Sequence, residues 1–215
     1  MDNLERAAGE LRKGNFILVY DGEEREGEAD LIFHAGFATP EKIERLRRDA
    51  GGLICLALGK REAESIGLEF YTDILRKTGH GAMVCKKTAY GDEPAFSISV
   101  NHKKVYTGIT DKDRALTIRE MATVAGADGT EKLFLENFYS PGHVFLLIGR
   151  GLKNRRGHTE LALELAERAG MPGTMVLCEM LGSGKALSKK DARVYAERHG
   201  FVFVEGVEIY EAGNR

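Results

Sequence analysis

Short apolar runs recur along the chain: FILVY (16–20), LIFHAGF (31–37), LICLAL (53–58), AFSISV (95–100), HVFLLIG (143–149) and TMVLCEM (174–180). Runs of this length suit strands, and none approaches the length of a bilayer-spanning helix. Between them lie segments of helical period. Leu4, Ala7, Ala8 and Leu11 predict an amphipathic N-terminal helix closed by Gly14. PEKIERLRRDAG (40–51) begins with proline and ends in glycine, and REAESIG (61–67) reads as a short helix. TDKDRALTIREMATVAG (110–126) opens with Thr110 and, three residues on, Asp113, a start resembling a capping box. TELALELAERAG (159–170) is strongly amphipathic, and SKKDARVYAERHG (188–200) is capped by Ser188 and stopped by Gly200. FVFVEGVEIY (201–210) closes the pattern, while 68–94 carries scattered glycine and little periodicity. Interleaving without linker or repeat predicts one α/β domain over residues 1–215. The order of elements leaves open whether its sheet is parallel or mixed.

Composition narrows the function. A hydrophobic fraction of 43% supplies an ordinary core, and a net charge of −2 without a basic block argues against nucleic-acid binding by phosphate neutralisation. Cys55, Cys85 and Cys178 are scattered, with no CxxC spacing, so reduced thiols are expected in place of a disulfide framework or a zinc knuckle. The opening MDNLERAAGELRKG lacks the basic start and apolar run of a signal peptide. A soluble, cytoplasmic protein without membrane partners is the expectation.

The stretch DGEEREGEAD (21–30) holds six acidic side chains and one arginine. Charge so dense is either a solvated face or a site whose carboxylates share a counter-ion. A calcium loop starting at Asp21 fails, because Glu26 stands where glycine is required and Ile32 where a bidentate glutamate is required. GSGK (182–185) and GRGLKN (149–154) likewise miss the spacing of a phosphate-binding P-loop and of a dinucleotide fingerprint. In an extended segment, Glu24, Glu26, Glu28 and Asp30 would fall on one side, about 6.5–7 Å apart, and could converge on a hard divalent cation. A second polar group, RRGHTE (155–160), stands at the start of the strongest helix. Free backbone N–H groups and the positive end of the helix dipole suit a phosphate there, with Arg155 and Thr159 as further donors. His158 offers an imidazole that can ligate a metal beside that cradle.

Five segments, DGEEREGEADLI (21–32), TGITDKDRALTI (107–118), PGHVF (141–145), RRGHTELALEL (155–165) and VLCEM (176–180), occur in an order that resembles 3,4-dihydroxy-2-butanone 4-phosphate synthase, a family of riboflavin biosynthesis. The likeness covers essentially the whole chain. It implies a lyase that converts D-ribulose 5-phosphate to L-3,4-dihydroxy-2-butanone 4-phosphate and formate. The steps would be a Mg2+-stabilised enediolate, dehydration, skeletal rearrangement and formate loss. It also implies a single α/β domain with a mixed sheet, one or two Mg2+ or Mn2+ ions, and a homodimer with sites near the interface. No fused cyclohydrolase domain is expected.

By the same resemblance Glu26 and His158 would hold the metal, and Arg25, Glu26, Asp30, Thr107 and Glu179 would contact substrate. Arg155, Arg156, Gly157, His158 and Thr159 match the family's substrate and phosphate loop. His143 and Glu179 match residues needed for activity, and Glu28 is a further acid or base. Gly27 and Ala29 depart from the commoner Asn and Gly at positions that carry no ligand, and LGSGKALS (181–188) replaces the family's usual tail after Glu179. Two rivals explain less of the pattern: a metal-dependent isomerase or aldolase on another phosphosugar, and a binding module without turnover.

Overall fold

The computed structural model describes residues 2–84, 91–125, 127 and 130–213. Cys85 and Gly126 lie outside the described residues. The N-terminal helix α1 (Asn3–Arg12) buries Leu4, Ala7, Ala8 and Leu11, the stripe its spacing predicts. Strands β1 (Ile17–Tyr20) and β2 (Ala29–His34) form an antiparallel hairpin, both buried on two faces. α2 (Pro40–Arg45) takes Pro40 into its first turn and Thr39 as its cap, then continues as a π-helical turn, Leu46–Ala50, before Gly51. There follow β3 (Cys55–Leu58), α3 (Lys60–Ser65), α4 (Tyr71–Lys77), β4 (Phe96–His102), α5 (Asp111–Ala125), α6 (Thr130–Asn137) and β5 (Phe138–Ile148). The last third holds α7 (His158–Arg168), β6 (Thr174–Glu179), α8 (Lys189–His199), β7 (Val202–Glu205) and α9 (Gly206–Gly213).

Seven strands make one mixed sheet in the order β4-β5-β3-β6-β2-β1-β7. β1 with β7 and β3 with β5 pair parallel; the other neighbours are antiparallel. Because side chains alternate along a strand, the buried strands feed two cores. Leu18, Leu31, Phe33, Leu56, Val176 and Cys178 pack on one face with Ile43, Ile118 and Ala196 from α2, α5 and α8. Ile17, Val19, Ile32, Cys55, Met175 and Leu177 pack on the other with Leu11, Leu161 and Ile209 from α1, α7 and α9. Each face at 25 cal/mol per Å² of buried apolar surface supplies a large share of the folding drive.

Several sequence expectations need correcting. Ala35–Phe37 is a 3-10 turn and not more strand, because Gly36 N–H donates to His34 Nδ1 and turns the chain. α4 leaves no periodic signal since it buries no residue, and α6 buries only Thr130 and Phe134 while Leu135 stands 64% exposed. The acidic row is not extended over its length: residues 23–26 form a turn closed by Gly27 at φ +67°, and only Ala29 and Asp30 lie in a strand.

Candidate functional site

The turn between β1 and β2 is built around Asp21. Its side chain is wholly buried, with Oδ2 accepting from the Glu26 N–H at 3.0 Å and Oδ1 from the Glu28 N–H at 3.1 Å. Each carboxylate oxygen therefore holds one end of the turn, and Glu26 is carried toward the sheet. Asp30, two residues past Glu28 and on the α7 face of β2, is 3% exposed and pairs with Glu179 of β6. The β6 neighbour β3 continues this row, since the Leu53 N–H donates to Glu179 Oε2 at 2.8 Å.

α7 delivers the imidazole. Gly157 caps the helix, and Glu160, buried in the first turn, accepts from the Gly157 N–H at 3.3 Å and the Arg150 N–H at 2.9 Å. Glu160 also grips Arg155, Nη1 to Oε2, at 2.6 Å, so the guanidinium lies across the helix start. A Cβ at Gly157 would collide with that guanidinium where it lies, so a side chain there would displace Arg155. His158 begins the helix. Its Nε2 lies 3.1 Å from the Glu28 carbonyl and 3.6 Å from Asp30 Oδ1, and its Nδ1 lies 4.0 Å from Glu26 Oε2. A hydrogen bond from Nε2–H to the Glu28 carbonyl places the proton on Nε2 and turns the Nδ1 lone pair toward Glu26.

This pair fits a divalent ion. Ligand atoms at about 2.0–2.1 Å from one cation stand no more than roughly 4.2 Å apart, and the Glu26–His158 separation of 4.0 Å is inside that reach. Asp21, Glu26 and His158 offer ligand atoms all within 4.8 Å of one another. Asp21 is the least available of the three, because both its oxygens already hold backbone N–H groups.

Burial and mutual repulsion tune the acids. Burial pushes the Asp30 carboxyl up to about 7, with Glu179, Glu26 and Glu28 adding and His158 opposing. The Glu28 carboxyl is raised, chiefly by burial and then by Glu26. Burial works against a charged His158, but Asp30, Asp21 and Glu26 outweigh it and its pKa is raised. The site thus holds two groups able to carry a proton near neutral pH beside a pair able to hold a cation.

Glu26, Asp30, Arg155, His158, Thr159 and Glu179 line one cleft of about 220 Å³, closed by Leu53, Cys55 and Pro94–Phe96. A larger groove, about 500 Å³, runs behind α7, where Glu62 is occupied by Arg61 and the Gly173 N–H and no ligand set converges among the described residues. Arg25 reaches the cleft's edge through Asp92, and Glu28 through its carbonyl. Arg156 turns away, its guanidinium 5.0 Å over the Tyr210 ring. His143 and Thr107 sit elsewhere. His143 is exposed on β5, two residues before the Phe145–Cys55 pair, and its Nδ1 meets Asn101 Nδ2 at 3.1 Å. Three strand spacings of about 4.8 Å put β5 roughly 14 Å from β2. Thr107 lies in the loop before α5, where Asp113 accepts from the N–H groups of Tyr106, Thr107 and Gly108.

Sequence reasoning missed Asp21, Asp92 and Glu160. Asp21 was visible as the first residue after a buried strand and Glu160 as the third helical position in a capping pattern; Asp92 gave no local signal.

The chain is similar to known proteins over nearly its whole length. The family model for 3,4-dihydroxy-2-butanone 4-phosphate synthase matches residues 5–212. A 3,4-dihydroxy-2-butanone 4-phosphate synthase of Methanothermobacter thermautotrophicus is 41% identical, covering 97% of this chain and 95% of its own. That of Archaeoglobus fulgidus is 40% identical over 97% of this chain and 93% of its own. A solved structure of a 3,4-dihydroxy-2-butanone 4-phosphate synthase in complex with two magnesium ions superposes with a TM-score of 0.79 at 27% identity, covering 99% of this chain and 96% of that one. The Candida albicans synthase superposes with a TM-score of 0.77 at 29% identity, over 97% and 96%.

Proposed function

Because the chain belongs to the 3,4-dihydroxy-2-butanone 4-phosphate synthase family of riboflavin biosynthesis, we propose that it is a lyase making L-3,4-dihydroxy-2-butanone 4-phosphate and formate from D-ribulose 5-phosphate. The observation that carries this reading is the approach of Glu26 to His158 Nδ1, 4.0 Å, with Arg155 and Thr159 on the same cleft. Glu26 and His158 would hold Mg2+, with Mn2+ an alternative and one or two ions per site. When bound, the ion supplies positive charge to stabilise oxyanions of the sugar.

The residues of the chain do the rest. Arg155, Arg25 and the first turn of α7 bind the phosphate, supported by the guanidinium held over Gly157. Anchoring that distant group holds the sugar in place while its carbon skeleton reacts. Asp30, with its raised pKa, holds and passes protons in the cleft, Glu179 pairs with it from β6, and Glu28, also raised, is a further acid or base beside them. His143 and Thr107 complete the site from the β4–β5 edge in a homodimer. That role is supported by an apolar groove of about 460 Å³ on that edge, lined by Leu53, Phe96, Pro141 and Phe145 and adjoining the cleft through Leu53 and Phe96. Among the described residues no helix is long and apolar enough to cross a membrane. Cys55 and Cys178 are free, which supports work in the reducing cytoplasm.

The experiment is incubation with ribulose 5-phosphate and Mg2+, measuring formate. Formate release that disappears in Glu26→Gln and His158→Ala, both still folded, is the expected result. Turnover without formate would point to an isomerase or aldolase, and binding without turnover to a module; either ends the proposal.

A further inference from the structure

Asp92 comes from neither site loop, yet both phosphate-seeking arginines face it. Its Oδ2 accepts from Arg25 Nη1 at 3.0 Å and lies 3.8 Å from Arg155 Nε. The residue starts the segment 92–95 that leads into β4, and Pro94 and Ala95 line the cleft. Each arginine also has a carboxylate behind it: Glu160 for Arg155 at 2.6 Å and Asp21 for Arg25 at 3.8 Å. Both rear carboxylates are 0% exposed, whereas the Asp92 side chain is 25% exposed. The rear pair cannot leave without burying an uncompensated charge. The front carboxylate already meets water.

We propose that Asp92 is a built-in anionic competitor, which holds Arg25 and Arg155 in register and is exchanged for the phosphate of an incoming phosphosugar. The inference rests on the phosphosugar reading above and adds what sets its selectivity. A phosphate monoester carries about −1.5 to −2 charges at neutral pH and three acceptor oxygens, against one charge and two oxygens for a carboxylate. A phosphate therefore gains on exchange, a sugar acid breaks even, and a neutral sugar cannot displace Asp92 at all. The next carboxylate, Glu93, pairs instead with Arg76 and Arg150, its Oε1 2.7 Å from Arg76 Nη2 and its Oε2 3.8 Å from Arg150 Nη2.

The test is Asp92→Asn, which keeps the shape and removes the charge, read by calorimetric titration with inorganic phosphate. Affinity should rise about two- to fivefold, the upper part of the range for removing a partly exposed ion pair, and KM for ribulose 5-phosphate should fall by the same factor. Asp92→Ser should move both in the same direction and serves if the asparagine variant folds poorly. Glu93→Gln removes a neighbouring charge that touches neither Arg25 nor Arg155, and should change affinity by less than twofold. Unchanged or weaker phosphate binding in the Asp92 variants overturns the proposal, as does an equal gain in Glu93→Gln, which would mark general electrostatics. Phosphate binding is read without turnover, so a chain that makes no formate but binds phosphate more tightly as D92N overturns only the reaction assigned above.

Discussion

Replacing Asp21 by asparagine separates two roles that its position allows. Asp21 lies within metal-ligand distance of Glu26 and His158, yet its two oxygens also hold the Glu26 and Glu28 N–H groups at 3.0 and 3.1 Å. Asparagine keeps one acceptor and points an NH2 at the other amide. One hydrogen bond to a charged acceptor, about 1.5–3 kcal/mol, is lost and a buried donor is left facing a donor. The metal-free protein should lose roughly 2 kcal/mol, which for a chain of this length lowers the melting midpoint by about 4–8 °C. The chain has no tryptophan, so urea unfolding followed by far-UV circular dichroism, with and without a chelator, is the suitable assay. A loop staple predicts that the loss persists with chelator present and that Mg2+ affinity also falls, because Glu26 is no longer presented. A variant whose chelated stability stays within about 0.5 kcal/mol of the parent, while Mg2+ affinity disappears, would refute the staple and make Asp21 a direct ligand.

Two other expectations follow from the titrating groups. Asp30 at about 7 and the raised His158 both hold protons in the metal-free site at pH 6, and a ligated cation disfavours both. Mg2+ binding should release protons, with affinity climbing by up to about tenfold per pH unit per proton between pH 6 and 8; a flat calorimetric profile would count against the site. His34 should act on stability in the opposite part of the molecule. Its Nδ1 accepts from the Gly36 N–H at 3.2 Å, Nε2–H donates to the Pro172 carbonyl at 3.1 Å, and burial lowers its pKa. With the folded pKa below the unfolded one, its contribution is complete above about pH 6.5 and drains away as pH falls through the folded value. The stability gap between the parent and His34→Gln should therefore narrow on acidification, and a constant gap in urea midpoints would show that His34 does not titrate.

The fold was largely legible because its strands are buried on both faces and its helices carry one apolar stripe. Leu4, Ala7, Ala8 and Leu11 announce α1, and Ser188 and Gly200 bracket α8, with Asp191 N–H on the Ser188 hydroxyl at 3.1 Å. What escaped notice lacks burial: α4 hides nothing, and the apolar alternation of Val207, Ile209 and Tyr210 belongs to helix α9, where Val207 is 51% exposed. The mixed topology was not in the pattern, since adjacency of β3 with β5 and β6 depends on contacts far apart in the chain. Glu26 and His158 were legible as chemistry, through residue type and helix position. Asp92 was not, because its meaning comes only from two arginines, of which one lies 67 residues before it.

The acidic hairpin survives its own repulsion by dividing its charges. Glu23 and Glu24 are exposed, where water and salt screen them. Asp21 is buried but spends its charge on two N–H groups beside Arg25. Glu26, Glu28 and Asp30 remain, and they face Glu179 and one another. An ionised Asp30 there would be a buried charge whose cost the low-dielectric cleft does not offset, so the group keeps its proton up to about pH 7. His158, 3.6 Å away, feels the opposite balance: burial works against its charge, but Asp30, Asp21 and Glu26 raise its pKa. Protons shared among these groups are thus the hairpin's own counter-charge, and a divalent cation held by Glu26 and His158 would take their place. The same crowding that makes the stretch improbable as a mere loop makes its cation affinity steep in pH.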